Sequence, residues 1–325
     1  MTLFPRRSCL AALALAFALL ACAPLRQQPL PLTPPLAPRF TERALIASDG
    51  AELGLSVWRP VGVEPWAVIV ALHGMNDYAG AFRLAGPWWA ERGIATYAVD
   101  LRGFGRSPNR GVWPERELLL QDVRDAVAAA RRAHPQAQVA LLGLSMGAAA
   151  AIVAETSEAP PGADALVLVS PAVWGWSNLP WLYAASLRLA AAFAPGAELE
   201  PPKQVLRQVT PTDNLPFLIA MGQDSNLLFE TRVDALLGLV NLMEIASQRV
   251  GALPAPGRTL HLVGSRDEII PPVAAERAIA HLPAGATVVR YEAGYHLLLS
   301  DLQAERVWRD VLSFLSETER KEEVY

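Results

Sequence analysis

Gly143-Leu144-Ser145-Met146-Gly147 is the stretch of this chain best suited to chemistry. A serine hydroxyl is a weak nucleophile near neutral pH and becomes useful only beside a base that takes its proton. Glycines two residues to either side suit a serine on a sharp strand-to-helix turn, because they leave room for the two elements to approach. The flanks fit such a turn. The apolar run 138–142 precedes it and the small-residue run 148–154 follows.

A nucleophilic serine needs a histidine within hydrogen-bond reach and a carboxylate to orient that histidine, and serine–acid–histidine is one of the chain orders in which they recur. Among five histidines, His134 precedes the serine at a helix end, His261 lies inside an apolar strand and His281 sits at another helix end. His296, in the loop Glu292–His296 just past a strand, is the expected base. The acid is expected in Gly264-Ser265-Arg266-Asp267-Glu268, directly after the preceding strand. Asp267 is the first choice and Glu268 the alternative. The oxyanion formed on attack needs two backbone N–H donors, one from the residue after the nucleophile and one from an earlier loop. Met146 and Met75, the latter in His73-Gly74-Met75-Asn76-Asp77, are placed to supply them. His73 is then expected to orient that loop.

These residues must be held by strand ends. The runs 67–72, 94–99, 165–169, 259–263 and 287–291 read as strands, most of them continuously apolar and so buried on both faces. Helices are expected over 80–91, 115–133, 273–281 and 303–315. In 115–133 the apolar positions 119, 120, 123, 126, 127 and 130 follow a helical period. The alternation gives an α/β fold with a mostly parallel, doubly wound sheet. Residues 44–47 and 53–58, joined by Ser48-Asp49-Gly50, read as a hairpin supplying an antiparallel edge. An insertion over about 171–255 breaks the rhythm. Helices are expected there over 182–193 and 231–247, with Pro-rich 195–202 between, as a helical cap over the sheet's C-terminal edge. Trp174, Trp176 and Trp181 are its candidate pocket residues.

The ends read differently. Arg6-Arg7 followed by the apolar run 10–21 forms an export signal too short to span a bilayer comfortably. Leu19-Leu20-Ala21-Cys22 resembles the bacterial lipobox, which implies a signal over 1–21 and lipidation at Cys22. The bland alternatives are an ordinary signal peptide or an uncleaved anchor. Six prolines between 23 and 38 suit a semi-rigid tether, so that 22–39 links the anchor to a domain over 40–318. The charged residues 317–323 are expected to fray, with 319–325 as a tail. A formal net charge of −4 without a basic stripe argues against nucleic acid. Both cysteines, Cys9 and Cys22, precede the domain, which excludes a cysteine nucleophile or a cysteine metal site within it.

Leu72-His-Gly, Val99-Asp-Leu-Arg-Gly-Phe-Gly-Arg-Ser107, Gly143–Gly147, Gly264–Asp267 and Ala293-Gly-Tyr-His-Leu-Leu298 together resemble the monoacylglycerol lipase/lysophospholipase branch of the serine α/β-hydrolases, which are sometimes grouped with serine aminopeptidase-like hydrolases. The resemblance covers about 57–315, with gaps in the cap. It implies Ser145, Asp267 and His296 as the triad, Met75 and Met146 as the oxyanion hole, and no cofactor or metal. The family usually has His where this chain has Phe104. The expected activity is hydrolysis of monoacylglycerol- or lysophospholipid-like esters from an anchor in the bacterial cell envelope. The alternatives are a peptidase, thioesterase or carboxylesterase on soluble substrates, and a binding lipoprotein on an inactive scaffold.

Overall fold

The structure is a computed structural model that describes residues 24–31, 33–200, 209–253 and 257–322, with side chains to Thr318. The expected signal and Cys22 lie outside the described residues. Among these, the strands are β1 (Arg39–Phe40), β2 (Ala44–Ile46), β3 (Glu52–Trp58), β4 (Ala67–Leu72), β5 (Ile94–Val99), β6 (Gln138–Leu144), β7 (Ala165–Val169), β8 (Glu198–Leu199), β9 (Thr231–Arg232), β10 (Thr259–Gly264) and β11 (Thr287–Tyr291). The helices are α1 (Ala85–Ala90), α2 (Arg116–Ala133), α3 (Met146–Glu155), α4 (Trp181–Phe193), α5 (Leu215–Gly222), α6 (Val233–Arg249), α7 (Pro272–His281) and α8 (Ala304–Glu322).

The main sheet runs β1-β2-β3-β5-β4-β6-β7-β10-β11. Pairing is antiparallel from β1 to β5 and parallel thereafter. The expected hairpin is the β2–β3 pair, closed by a turn in which Gly50 takes φ 86°. Residues along β4 alternate between two cores. Val68, Val70 and Leu72 face one, with Leu119, Leu120, Val123, Ala126, Val127 and Ala130 of α2. Ala67, Ile69 and Ala71 face the other, with Val307, Val311, Phe314 and Leu315 of α8. Each fully buried large side chain contributes roughly 1.5–3 kcal/mol relative to exposure, so the sheet is a rigid floor for whatever its strand ends carry.

Three elements depart from expectation. The helix expected over 80–91 is broken into a 3-10 turn, Ala79–Phe82, and α1. Pro87 is the cause: in a continuous helix its ring would collide with the carbonyl four residues back. The charged C-terminal stretch is helical as far as it is described, since α8 runs to Glu322. Its Glu, Arg and Lys residues are good helix formers, and buried Leu315 and Thr318 hold the preceding turns down. The Pro-rich segment is extended but lies on the body: Gln27 bridges in parallel to Pro114, and Leu36 N–H bonds to the Ser48 carbonyl at 2.7 Å.

The insertion is mostly helical and carries more than expected. Its described part adds α5 and a two-stranded ribbon, β8–β9, and α6 begins at Val233 because Thr231 and Arg232 belong to that ribbon.

Candidate active site

Sheet order brings the site's loops together. β4 lies between β5 and β6, and Leu72 pairs with Gly143. The loop after β4 therefore emerges beside the turn after β6, at a switch point of the kind where open α/β sheets bind ligands.

Ser145 alone makes the turn from β6 to α3. Its φ of 55° and ψ of −114° lie where a non-glycine residue stays only under constraint. Its N–H bonds the Val169 carbonyl at 2.9 Å, and its own carbonyl accepts from Ala149 and Ala172, both at 3.1 Å. A Cβ on Gly143 would collide with the Ala148 backbone, and one on Gly147 with the Leu72 carbonyl. Both positions are closed to every other residue.

His296 stands in the loop after β11 and is buried. Its Nδ1 is 2.8 Å from Asp267 Oδ2. With the proton on Nδ1, Nε2 is left as the acceptor, the tautomer a base toward serine needs. The other Asp267 oxygen takes the N–H groups of Ile269 (2.8 Å) and Ile270 (3.0 Å). Glu268 turns away and accepts the Thr210 N–H at 2.7 Å. Of the two adjacent acids the structure joins Asp267, not Glu268, to His296. Tyr295, next to the histidine, is fixed through its N–H to Asp301 Oδ2 at 2.8 Å.

The loop after β4 runs directly against the nucleophile's turn: a Cβ on Gly74 would stand 3.4 Å from Ser145 Cβ. The N–H groups of Met75 and Met146 have no acceptor among the described residues. The loop is braced from below by His73, whose Nδ1–H donates to Gly74 O (2.7 Å) while Nε2 accepts from Leu101 N–H (2.9 Å). Burial pushes the His73 pKa down against the opposing charge of Asp100, so the imidazole is neutral, as that bonding pattern requires. Phe104 packs edge-on to His73 with ring centroids 5.5 Å apart.

Some supporting residues were not singled out from the sequence. Asp100 is fully buried and receives N–H groups from Ala79 and Arg106 and the Arg106 side chain. Burial alone would raise its carboxyl, but these donors outweigh burial and hold it below the usual range. It stands inside the Asp-Leu-Arg-Gly run already noted, so a signal existed. Asn76, at φ 61°, ties the loop after β4 to Thr231. Asp301 is one of many acids, and nothing in the sequence marks it.

The three candidate tryptophans do not converge. Trp174 packs against the main core. Trp176 donates to Asn241 at 2.8 Å and lies under the Arg188 guanidinium. It borders a cavity of about 310 Å³ whose lining includes Trp113 and Leu242 but neither Ser145 nor His296. Trp181 is 79% exposed. An insertion's own packing decides which aromatics face inward, and composition alone carries no such direction. Among the described residues, no group of three or more His, Cys, Asp or Glu is placed to hold a metal ion.

Monoacylglycerol lipase of Mycolicibacterium smegmatis is 27% identical over 281 residues, which is 85% of this chain and 96% of that protein. Human monoglyceride lipase is 32% identical over 130 residues, 40% of this chain and 42% of that one. Two solved structures share the fold. One is the monoacylglycerol lipase of Paleococcus ferrophilus, with TM-score 0.67 and 21% identity over 82% of this chain and 99% of that one. The other is a soluble variant of the Saccharomyces cerevisiae monoglyceride lipase, with TM-score 0.69 and 17% identity over 91% and 99%. Residues 63–303 match the family described as serine aminopeptidase, S33, and the chain belongs to that family of α/β-hydrolases.

Proposed function

We propose that this protein is a serine ester hydrolase of monoacylglycerol lipase type, working through an acyl-enzyme on Ser145. The observation that carries the chemistry is the buried His296–Asp267 pair, 2.8 Å apart, at the same end of the sheet as the strained Ser145 turn. His296 takes the Ser145 proton as the oxygen attacks the ester carbonyl and returns it to the leaving alcohol. Asp267 orients the ring and favours the imidazolium. The N–H groups of Met75 and Met146 stabilise the oxyanion, each removal costing about 2.7–4 kcal/mol of barrier in comparable sites. Water, activated by the same histidine, then releases the acid.

For substrate we infer monoacylglycerol- or lysophospholipid-like esters. Support comes from the lipase of M. smegmatis, whose similarity spans nearly both chains. We further propose that Cys22 carries a lipid and holds the enzyme in a bacterial cell envelope, the reading of the Leu-Leu-Ala-Cys run. A panel of glycerol and lysophospholipid esters of graded chain length, run against peptide anilides, tests the substrate. Turnover of the anilides alone would overturn the ester reading. Radiolabelled palmitate incorporation that survives Cys22→Ala would overturn the anchor.

A further inference from the structure

The chain is fastened immediately before and immediately after His296, and one stretch of the insertion arranges both fastenings. Leu297 N–H, just after the histidine, donates to the Pro211 carbonyl at 2.8 Å. Tyr295 N–H, just before it, donates to Asp301 Oδ2 at 2.8 Å. Asp301 is gripped on either side in turn. Leu302 N–H donates to Asp213 Oδ1 at 2.8 Å, and Asn214 Nδ2 donates to the Ser300 carbonyl at 2.9 Å. The same stretch reaches the acid's loop, where Thr210 N–H donates to Glu268, next to Asp267. Residues 210–214 therefore span the two loops that carry the acid and the base.

The groups that make these contacts are mostly shielded from water. Asp301 and Thr212 are buried, and the Thr212 hydroxyl accepts the Asn214 N–H at 3.2 Å. A buried polar group left unpaired costs more than its bond returns, so such contacts fix one arrangement. Asn214 uses both ends of its side-chain amide. Its Oδ1 accepts the Phe217 N–H at 3.2 Å and caps α5, while its Nδ2 holds Ser300. Capping a helix needs only the oxygen. The nitrogen has a second use.

Proton transfer requires the imidazole to stay aligned with both Ser145 and Asp267, and a misplacement of about 1 Å can cost about a hundredfold in rate. Asp267 holds one ring nitrogen, while the loop holds the backbone from which the ring hangs. We propose that Asp213 and Asn214 are positioning residues for the hydrolytic reaction. They fix the turn Ser300–Leu302, from which Asp301 holds the backbone just ahead of His296. The proposal rests on the acyl-enzyme reading above and adds the residues that keep its base in place.

The test compares Asn214→Ser, Asp213→Ala and Asp213→Asn in the full chain. Serine at 214 keeps an oxygen for the cap of α5 and loses the amide that reaches Ser300. Asparagine at 213 keeps an acceptor for the Leu302 N–H, and alanine does not. Asn214→Ser should melt near the wild-type temperature and yet lower kcat on a short ester about two- to tenfold, the effect of one hydrogen bond. Asp213→Ala should lose a similar factor, and Asp213→Asn should recover most of it. The rate of labelling by a fluorophosphonate probe should drop in step. The low-field proton resonance of the His296–Asp267 hydrogen bond should shift or broaden in Asn214→Ser and Asp213→Ala. A purely structural role would lower the melting temperature and leave that resonance and both rates unchanged wherever the variant is folded, and this result overturns the proposal. An Asp213→Asn no better than Asp213→Ala overturns it too. A wild type that takes the probe and cleaves no ester overturns the substrate reading instead, and the labelling rates still decide the role of Asn214. A wild type that takes no probe overturns the acyl-enzyme reading and the proposal together.

Discussion

Asn76 donates its side-chain amide to the Thr231 hydroxyl across 2.6 Å, and its carbonyl accepts the Leu228 N–H at 2.9 Å. The residue next to Met75 is thus held by the insertion, so the insertion helps set where the Met75 N–H points. Thr231→Val keeps the shape and removes the acceptor. A single hydrogen bond contributes about 0.5–1.5 kcal/mol net, so kcat on a short ester should fall up to about tenfold. An unchanged kcat in a folded variant would show that the loop holds itself.

Ser145→Ala should abolish covalent labelling by a fluorophosphonate probe and lower kcat by at least about 10⁴-fold, with little change in melting temperature. Labelling that persists would place the nucleophile elsewhere.

Asp267→Asn and Glu268→Gln separate the two adjacent acids. Losing the orienting carboxylate costs about 10⁴ in kcat in a comparable triad, and Asp267→Asn should approach that loss. Glu268→Gln should stay near the wild type, because Glu268 bonds only the Thr210 N–H in the described structure. The reverse pattern would exchange their roles.

His261 is buried with neither ring nitrogen bonded among the described residues. Burial first, and the charge of Arg290 second, push its pKa down to about 4. The unfolded chain's histidine titrates near 6.5, so between about 6.5 and 4 it binds a proton the folded ring refuses. Stability is therefore lost on acidification through that window. His261→Leu should raise the melting temperature at pH 5 more than at pH 8. Equal effects at both would refute the linkage.

Asp77 gives the opposite slope. Burial pushes its carboxyl up to about 7, although the Tyr78 N–H and Arg83 pull it down, against about 4 in an unfolded chain. Between those values the folded protein keeps a proton the unfolded chain has released, so this group's contribution falls as pH rises. Asp77→Asn, which mimics the protonated acid and keeps the oxygen that accepts from Tyr78 N–H, should flatten that fall. Thermal melts at pH 5 and 8 measure it.

Much of this was legible in the chain because periodicity and punctuation act locally. The continuous apolar strands, the α2 stripe and the Gly-flanked Ser145 each state their own surroundings. Asn76–Thr231 and Asp234–Leu25 were not legible, since each joins segments more than a hundred residues apart through ordinary polar residues. The same limit explains Trp176 and Trp181: aromatic composition says that a surface exists and leaves open which way each ring turns. The break at Pro87 was legible in principle, from the clash a proline ring imposes on a preceding turn.

The ends of the main sheet have a consequence for crowding. β1 is only two residues long, and at the opposite end β11 carries Arg290, paired to Glu276 at 2.6 and 2.8 Å. Short strands and charged side chains make poor templates for another chain's backbone. Neighbouring copies held side by side at high surface density would find little to zip onto, and the protein should stay dispersed where many sheet proteins would begin to stack.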